Sequence, residues 1–198
     1  MRFVDDVGFA FGWIAPEPKF MQRASHAVAA GERVYVIDPV DDDEALERVR
    51  SLGRPTAVIQ LLDRHRRDCV RVAGRLRVPH HVVPDVAPPG SPYEVIPILA
   101  RRRWHEVAIW FPEHLTLVCA DALGTAPYYC AGGERLGVSP PLRLRPPRVL
   151  AAYEPEHVLV GHGAGVHDDA AAAVREALET AGRRVPAWLV SFVRSRWA

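Results

Sequence analysis

Residues 56 to 76 constrain the fold of this chain more than any other stretch, because a buried strand there runs into an arginine-rich polar loop and then a helix. Thr56-Ala57-Val58-Ile59-Gln60-Leu61-Leu62 is short and mostly apolar, with β-branched residues at its centre, the composition of a strand covered on both faces. Asp63 ends it, and Arg64-His65-Arg66-Arg67-Asp68-Cys69 follows. Cys69, Val72, Ala73 and Leu76 then fall at i, i+3, i+4 and i+7, one apolar face of a helix. Arg67, Arg71 and Arg75 fall on roughly the opposite side. The helix is therefore expected to turn its arginines to water and Cys69 inward, and function is expected at the loop before it.

The rest of the chain alternates strand and helix patterns. Phe9, Phe11 and Trp13 repeat with period two and predict an edge or hairpin strand, stopped by a turn at Pro16 and Pro18. Ser25 to Ala30 leads through Gly31 into Arg33-Val34-Tyr35-Val36-Ile37-Asp38-Pro39, a β-branched strand. Asp41 and Glu44 are spaced as a capping box, Ala45, Leu46, Val49 and Leu52 make an apolar stripe, and Gly53 closes a helix over 42–52. Pro79 to Val83 and Tyr93 to Leu99 read as strands on either side of a Pro/Gly connection at 85–92. Val107 to Phe111 and Leu115 to Cys119, joined by Pro112-Glu113-His114, predict a hairpin. Residues 126–147, with Tyr128, Tyr129, Cys130, paired glycines and five prolines, read as a loop that covers or borders a pocket. Asp168 or Asp169 can cap a helix bearing Ala170, Val174, Ala177, Leu178 and Ala181, with Gly182 as its stop. A last helix from Pro186 carries Trp188, Leu189, Phe192 and Val193. Its aromatic face is expected to pack on the core, with a homodimer or partner surface as the alternative.

Composition narrows the function classes. At 198 residues, 48% hydrophobic and 25% charged, the chain is expected to form one globular domain spanning 1–198. A formal net charge of +1 gives no general attraction to nucleic acid or to an anionic membrane, despite the local arginines at 64–67 and 101–103. Cys69, Cys119 and Cys130 are odd in number and lack Cys-x-x-Cys spacing, so neither a disulfide framework nor a structural zinc knuckle is indicated. Acids at Asp5 and Asp6 stand where a signal peptide needs apolar residues, and no long apolar run occurs. A cytoplasmic protein is the expectation.

The strand, polar loop and helix at 56–76, followed by Leu115-Thr116-Leu117-Val118-Cys119-Ala120-Asp121 and by Val158-Leu159-Val160-Gly161-His162-Gly163, resemble the metallo-β-lactamase superfamily. Order and spacing agree over about residues 24–182, and any one of these motifs alone is a weak signal. The family's His-x-His-x-Asp-His motif falls on the first stretch. Anchoring its Asp-His on Asp68-Cys69 puts Arg64 and Arg66 on the first two histidines. Sliding by one residue instead puts His65 on the second histidine and Asp63 on the first, but displaces Asp68; the first frame is preferred. Asp121 matches the bridging aspartate, His162 the late histidine, and Arg102 or a neighbouring arginine the third histidine of the first metal.

The resemblance implies an α/β fold, an αββα sandwich of two mixed sheets flanked by helices. It also implies a hydrolase-like protein whose first metal site is lost, because arginine stays protonated and has no lone pair to offer. Asp68, Cys69, Asp121 and His162 are left as ligands for at most one zinc or other divalent ion, each with an ordinary structural role as its alternative. If active, such a protein acts on a small ester, thioester, amide or phosphate. The alternative is a non-catalytic binding or regulatory protein in which Arg64, Arg66 and Arg102 line a pocket for a small anion, without metal. His65 is expected at most on the pocket rim. The substrate is set by the loops at 85–92 and 126–147, whose shapes the sequence does not give.

Overall fold

The computed structural model describes residues 1–16 and 21–195, with side chains up to residue 192; the expected turn residue Pro18 and the side chain of Val193 lie outside these. Six strands form the first sheet in chain order: β1 (Arg2–Val4), β2 (Ala10–Ile14), β3 (Ala24–Ala30), β4 (Arg33–Ile37), β5 (Arg54–Gln60) and β6 (His80–Val82). The first four pair antiparallel. Strands β4, β5 and β6 are parallel, and the crossovers between them carry α1 (Asp43–Leu52) and α2 (Cys69–Leu76), as parallel pairing requires. The second sheet contains β7 (Glu94–Arg101), β8 (Trp104–Phe111), β9 (Thr116–Cys119) and, after the short pair β10 (Leu123–Gly124) and β11 (Gly137–Val138), β12 (His157–Val160). Its order is β12-β9-β8-β7, with β12 parallel to β9. Helices α3 (Ala170–Thr180) and α4 (Val185–Ser195) follow.

Period-two alternation sorts most of the buried apolar strand residues among three layers. Val34 and Val36 of β4, with Phe11, Trp13 and Val58, meet Ala45, Leu46 and Val49 of α1 and Cys69, Val72 and Ala73 of α2. Tyr35 and Ile37, with Ala57 and Ile59, face Val107, Ile109 and Phe111 of β8 between the sheets. Ala108 and Trp110, on the other side of β8, meet Val174, Ala177 and Leu178 of α3. Helix, sheet, sheet, helix is therefore the layer order, and the expected αββα sandwich is the fold. Each fully buried aliphatic or aromatic side chain in these layers contributes about 1.5–3 kcal/mol of transfer free energy.

Several local expectations change. β2 is an interior strand, buried at all five residues with β1 taking the edge, because both of its alternating sets find a layer to enter. Residues 24–30 form a fully buried strand, which its alanines, poor strand formers, do not announce. The cap of α1 is Asp42, whose Oδ1 accepts from Ala45 N at 2.9 Å; Asp41 instead pairs with Arg71 and Arg75 at 2.7 and 2.5 Å. At the start of α3, Asp169 holds a left-handed conformation and gives no side-chain cap. Trp188 and Phe192 of α4 pack edge-on against Tyr128, and Trp188 Nε1 donates to the Tyr128 carbonyl at 2.8 Å. The aromatic face of the last helix thus covers the 126–147 loop.

Candidate metal centre

Three chain segments at one end of the sheets bring a titratable group to a common point: the loop after β5 delivers His65, the turn after β9 delivers Asp121, and the turn after β12 delivers His162. The last two turns are fixed by close backbone approach. A Cβ on Gly161 would lie 2.7 Å from the Ala120 carbonyl oxygen, and one on Gly163, at φ +101°, would lie 2.1 Å from Thr125 Oγ1. Thr125 N and Ala126 N both donate to the His162 carbonyl, at 2.9 and 3.1 Å. Only glycine allows this approach.

Each imidazole is oriented through its far nitrogen. His65 Nδ1 lies 2.9 Å from Asp38 Oδ2, while Asp38 Oδ1 accepts from Leu61 N at 3.0 Å. His162 Nδ1 donates to the Met21 carbonyl at 2.8 Å. Both Nε2 atoms are thereby aimed at Asp121 Oδ1, each at 3.0 Å, and stand 3.3 Å from one another. Nitrogen and oxygen ligands about 2.0–2.2 Å from a tetrahedral zinc are roughly 3.3–3.6 Å apart. The observed triangle is close to that size, and carboxylate or carbonyl partners behind ligating imidazoles are the usual support of a metal site. His65, Asp121 and His162 fit one divalent ion.

Charge is arranged to match. Burial pushes the Asp121 carboxyl up, but His162 and His65 outweigh it and hold the group well below the usual carboxylate range. Burial and Arg67 push His65 down, yet Asp38 and Asp121 raise it on balance. For His162 burial prevails and the pKa falls. The Arg67 guanidinium is a further positive charge: it donates to the Asp38 and Gly161 carbonyls at 2.9 Å each, and to that of Ala24. Part of the residue reaches the surface, but its Nε is enclosed and has no hydrogen-bond partner among the described residues.

Two more groups define the walls. Glu106 of β8, wholly buried, accepts from Asp121 N, Ala122 N and Trp104 Nε1 at 2.8, 2.6 and 2.7 Å. Burial, then the charge of Asp121, pushes its carboxyl up to about 7. Tyr129 stacks on His162 with ring centres 5.4 Å apart, and its hydroxyl donates to Asp121 Oδ1 at 3.2 Å. The Arg143–Glu134 pair, buried on both sides, fixes the Tyr129 backbone, since Arg143 Nη2 also bonds the Tyr129 carbonyl at 2.5 Å.

Of the residues singled out in the sequence, Asp121 and His162 meet here, and His65 joins them as a buried member, 8% exposed, instead of standing on a rim. Asp68 and Cys69 are outside the group. Asp68 Oδ2 accepts from Asp41 N at 3.0 Å, and the Cys69 thiol, buried against the helix layer, donates to the His65 carbonyl at 3.5 Å and is pushed up to about 12 by burial. Arg64 is half exposed, lies over the Trp104 ring at 4.4 Å and reaches Asp121 Oδ2 at 3.4 Å. Arg66 is exposed beside Asp63, Asp68 and His80, and Arg102 is exposed in the β7–β8 turn. Of these three arginines, Arg64 reaches the group. The one that enters is Arg67, which precedes the helix with φ +38° and so escapes the helical periodicity that assigned it to water. Asp38, Glu106 and Tyr129 carried no spacing signal of their own.

No protein-family model and no curated protein matches the sequence. Solved structures do. TMB-1 superposes with a TM-score of 0.64 at 12% identity, over 91% of this chain and 97% of that one. A metallo-β-lactamase from Hirschia baltica gives 0.60 at 11%, over 93% and 97%. The flavodiiron protein from Giardia intestinalis gives 0.60 at 13%, over 92% of this chain and 60% of that one.

The chain has the metallo-β-lactamase fold. Within that fold its His–Asp–His group lies where the two sheets end together, at the C-terminal ends of the parallel pairs β4–β5 and β9–β12. Among the described residues no helix of this metallo-β-lactamase-fold chain is long and apolar enough to cross a membrane.

Proposed function

We propose that this protein is a metallo-β-lactamase-fold hydrolase that works with one divalent ion, zinc by the chemistry of the donors, on a small ester, thioester, amide or phosphate. The observation that supports it is the convergence of His65 Nε2, His162 Nε2 and Asp121 Oδ1 within 3.0–3.3 Å, each imidazole fixed from behind. When bound, the ion supplies an activated water near neutral pH and polarises a carbonyl or phosphoryl oxygen. Asp38 and the Met21 carbonyl hold the histidines in the tautomers that leave Nε2 free to ligate. Tyr129 holds a proton beside Asp121 Oδ1 and shields the His162 side of the site from water. Arg64, half exposed over Trp104, offers a guanidinium fork for an anionic group of the substrate.

That same arginine supports the second reading, a non-catalytic module that binds a small anion. Metal analysis of protein purified without chelator and dialysed separates the two. One equivalent is expected in the wild type and in Cys69→Ala, and none in Asp121→Ala or His65→Ala. A wild type without stoichiometric metal ends the hydrolase reading; thermal stabilisation by phosphate or citrate in chelator, lost in Arg64→Ala, is then the result of the anion-binding one.

A further inference from the structure

A second histidine group lies outside the site above. His157 opens β12 and His167 follows it in the next loop, and their Nδ1 atoms face each other at 3.0 Å. Behind His167, Nε2 is 3.1 Å from Asp5 Oδ1, which also accepts from Gly165 N at 2.7 Å. The Asp5 side chain is 3% exposed, and among the described residues its other oxygen is enclosed with no hydrogen-bond donor; the atom opposite, His26 Nδ1 at 3.9 Å, is likewise without a hydrogen-bond partner. A buried carboxylate with so little compensation favours positive charge nearby. Glu156 and Asp169 line the same surface hollow as the two histidines, and Arg175 of that hollow is engaged by Glu154 at 2.6 Å.

The geometry points to a second cation site, for a borderline transition ion such as zinc or nickel, with His157 Nδ1 and His167 Nδ1 as its protein nitrogens and Asp5 as the carboxylate behind His167. Two imidazole nitrogens 3.0 Å apart are near the ligand spacing about one small ion, and nitrogen donors select these metals over magnesium or calcium. His167 donates its Nε2 proton to Asp5, so its Nδ1 lone pair is free. In the empty pair the His157 Nδ1 proton fills that lone pair; on ion binding the proton moves to His157 Nε2, and both rings remain neutral. With only two nitrogens and water-exposed carboxylates, the ion is expected to exchange on dialysis, unlike the one held by Asp121. It would clip β12 to the loop after it and, through Asp5, to the turn between β1 and β2.

Zinc alone, titrated calorimetrically into Asp121→Ala, is expected to fill one equivalent, with shifts in the His157 and His167 imidazole NMR signals. Asp121→Ala, His157→Asn is expected to take none, and Asp5→Asn in the Asp121→Ala background to bind about 10- to 100-fold more weakly. No uptake by Asp121→Ala, or uptake unchanged in the double variant, overturns the site. If Asp121→Ala does not fold, nickel is added to the wild type: broadening of both imidazole signals is expected, and sharp signals overturn the proposal. His157→Asn purified without chelator keeps the Asp121-held ion whichever way this falls, so the two readings fail separately.

Discussion

The arginine-rich loop after β5 and the glycine-bounded turns after β9 and β12 deliver side chains to the same point under different constraints. In the glycine turns the backbones of Ala120 and Gly161, and of Thr125 and Gly163, lie so close that one arrangement is sterically open. Asp121 and His162, singled out by the family resemblance, are brought together there. In the arginine loop nothing local fixes which residue points in. His65 and Arg67 turn inward while Arg64 and Arg66 stand outside, and what selects them is distant: Asp38, just after β4, and the carbonyls of Ala24 and Gly161. Close packing specifies a turn by itself; a polar loop is specified by its partners.

Substituting Arg67 attacks that contrast most directly. Arg67→Met removes donors from three carbonyls and leaves Asp38 and Asp121 without their enclosed cation, at an expected loss of about 3–5 kcal/mol in urea unfolding. A loss under about 1 kcal/mol would mean that the guanidinium sits in water like its neighbours. Glu106 tests the opposite turn. Its folded pKa of about 7 lies above the unfolded value of 4.5, so its contribution to stability is fully present below pH 4.5 and is lost as pH rises through 7, a span on the order of 3 kcal/mol. Stability measured in chelator from pH 4 to 8 is expected to decline over that window, and Glu106→Gln to flatten the decline; an identical slope in both proteins would remove Glu106 from the account.

Gly163→Ala introduces a Cβ at φ +101° against Thr125 and is expected to cost about 1–3 kcal/mol of stability, together with the metal held through His162. Unchanged stability and metal content would show that the turn is not sterically defined. Arg64→Ala, exposed and paired only at 3.4 Å, is expected to change stability by about 0.5 kcal/mol or less, while weakening any anionic ligand. A large loss of stability would move Arg64 into the same class as Arg67 and erase the distinction between inward and outward arginines.

Much of this architecture was legible because it is repetitive. The β-branched runs at 33–37 and 56–60, the apolar stripes of α1, α2 and α3, and the hairpin at 107–119 follow from periods of 2 and 3.6 alone. β3 was not, since alanine marks neither period. Within the site, Asp121 and His162 were singled out through the resemblance to the metallo-β-lactamase superfamily, each following an apolar strand. Cys69 and Asp68 fit the family's spacing by residue type, but the helical face that buries Cys69 among Val34, Val36 and Leu46 also withholds it from the site.

The sequence by itself determined the layers of this protein, since burying alternating strand faces and helical stripes leaves few ways to stack them. Only the tertiary structure decided that His65 and not Cys69 completes the group with Asp121 and His162, and that Arg67 and not Arg64, Arg66 or Arg102 carries the enclosed charge. Those choices depend on hydrogen bonds to groups 27 to 94 residues away, and contacts of that range leave no period in the chain that makes them.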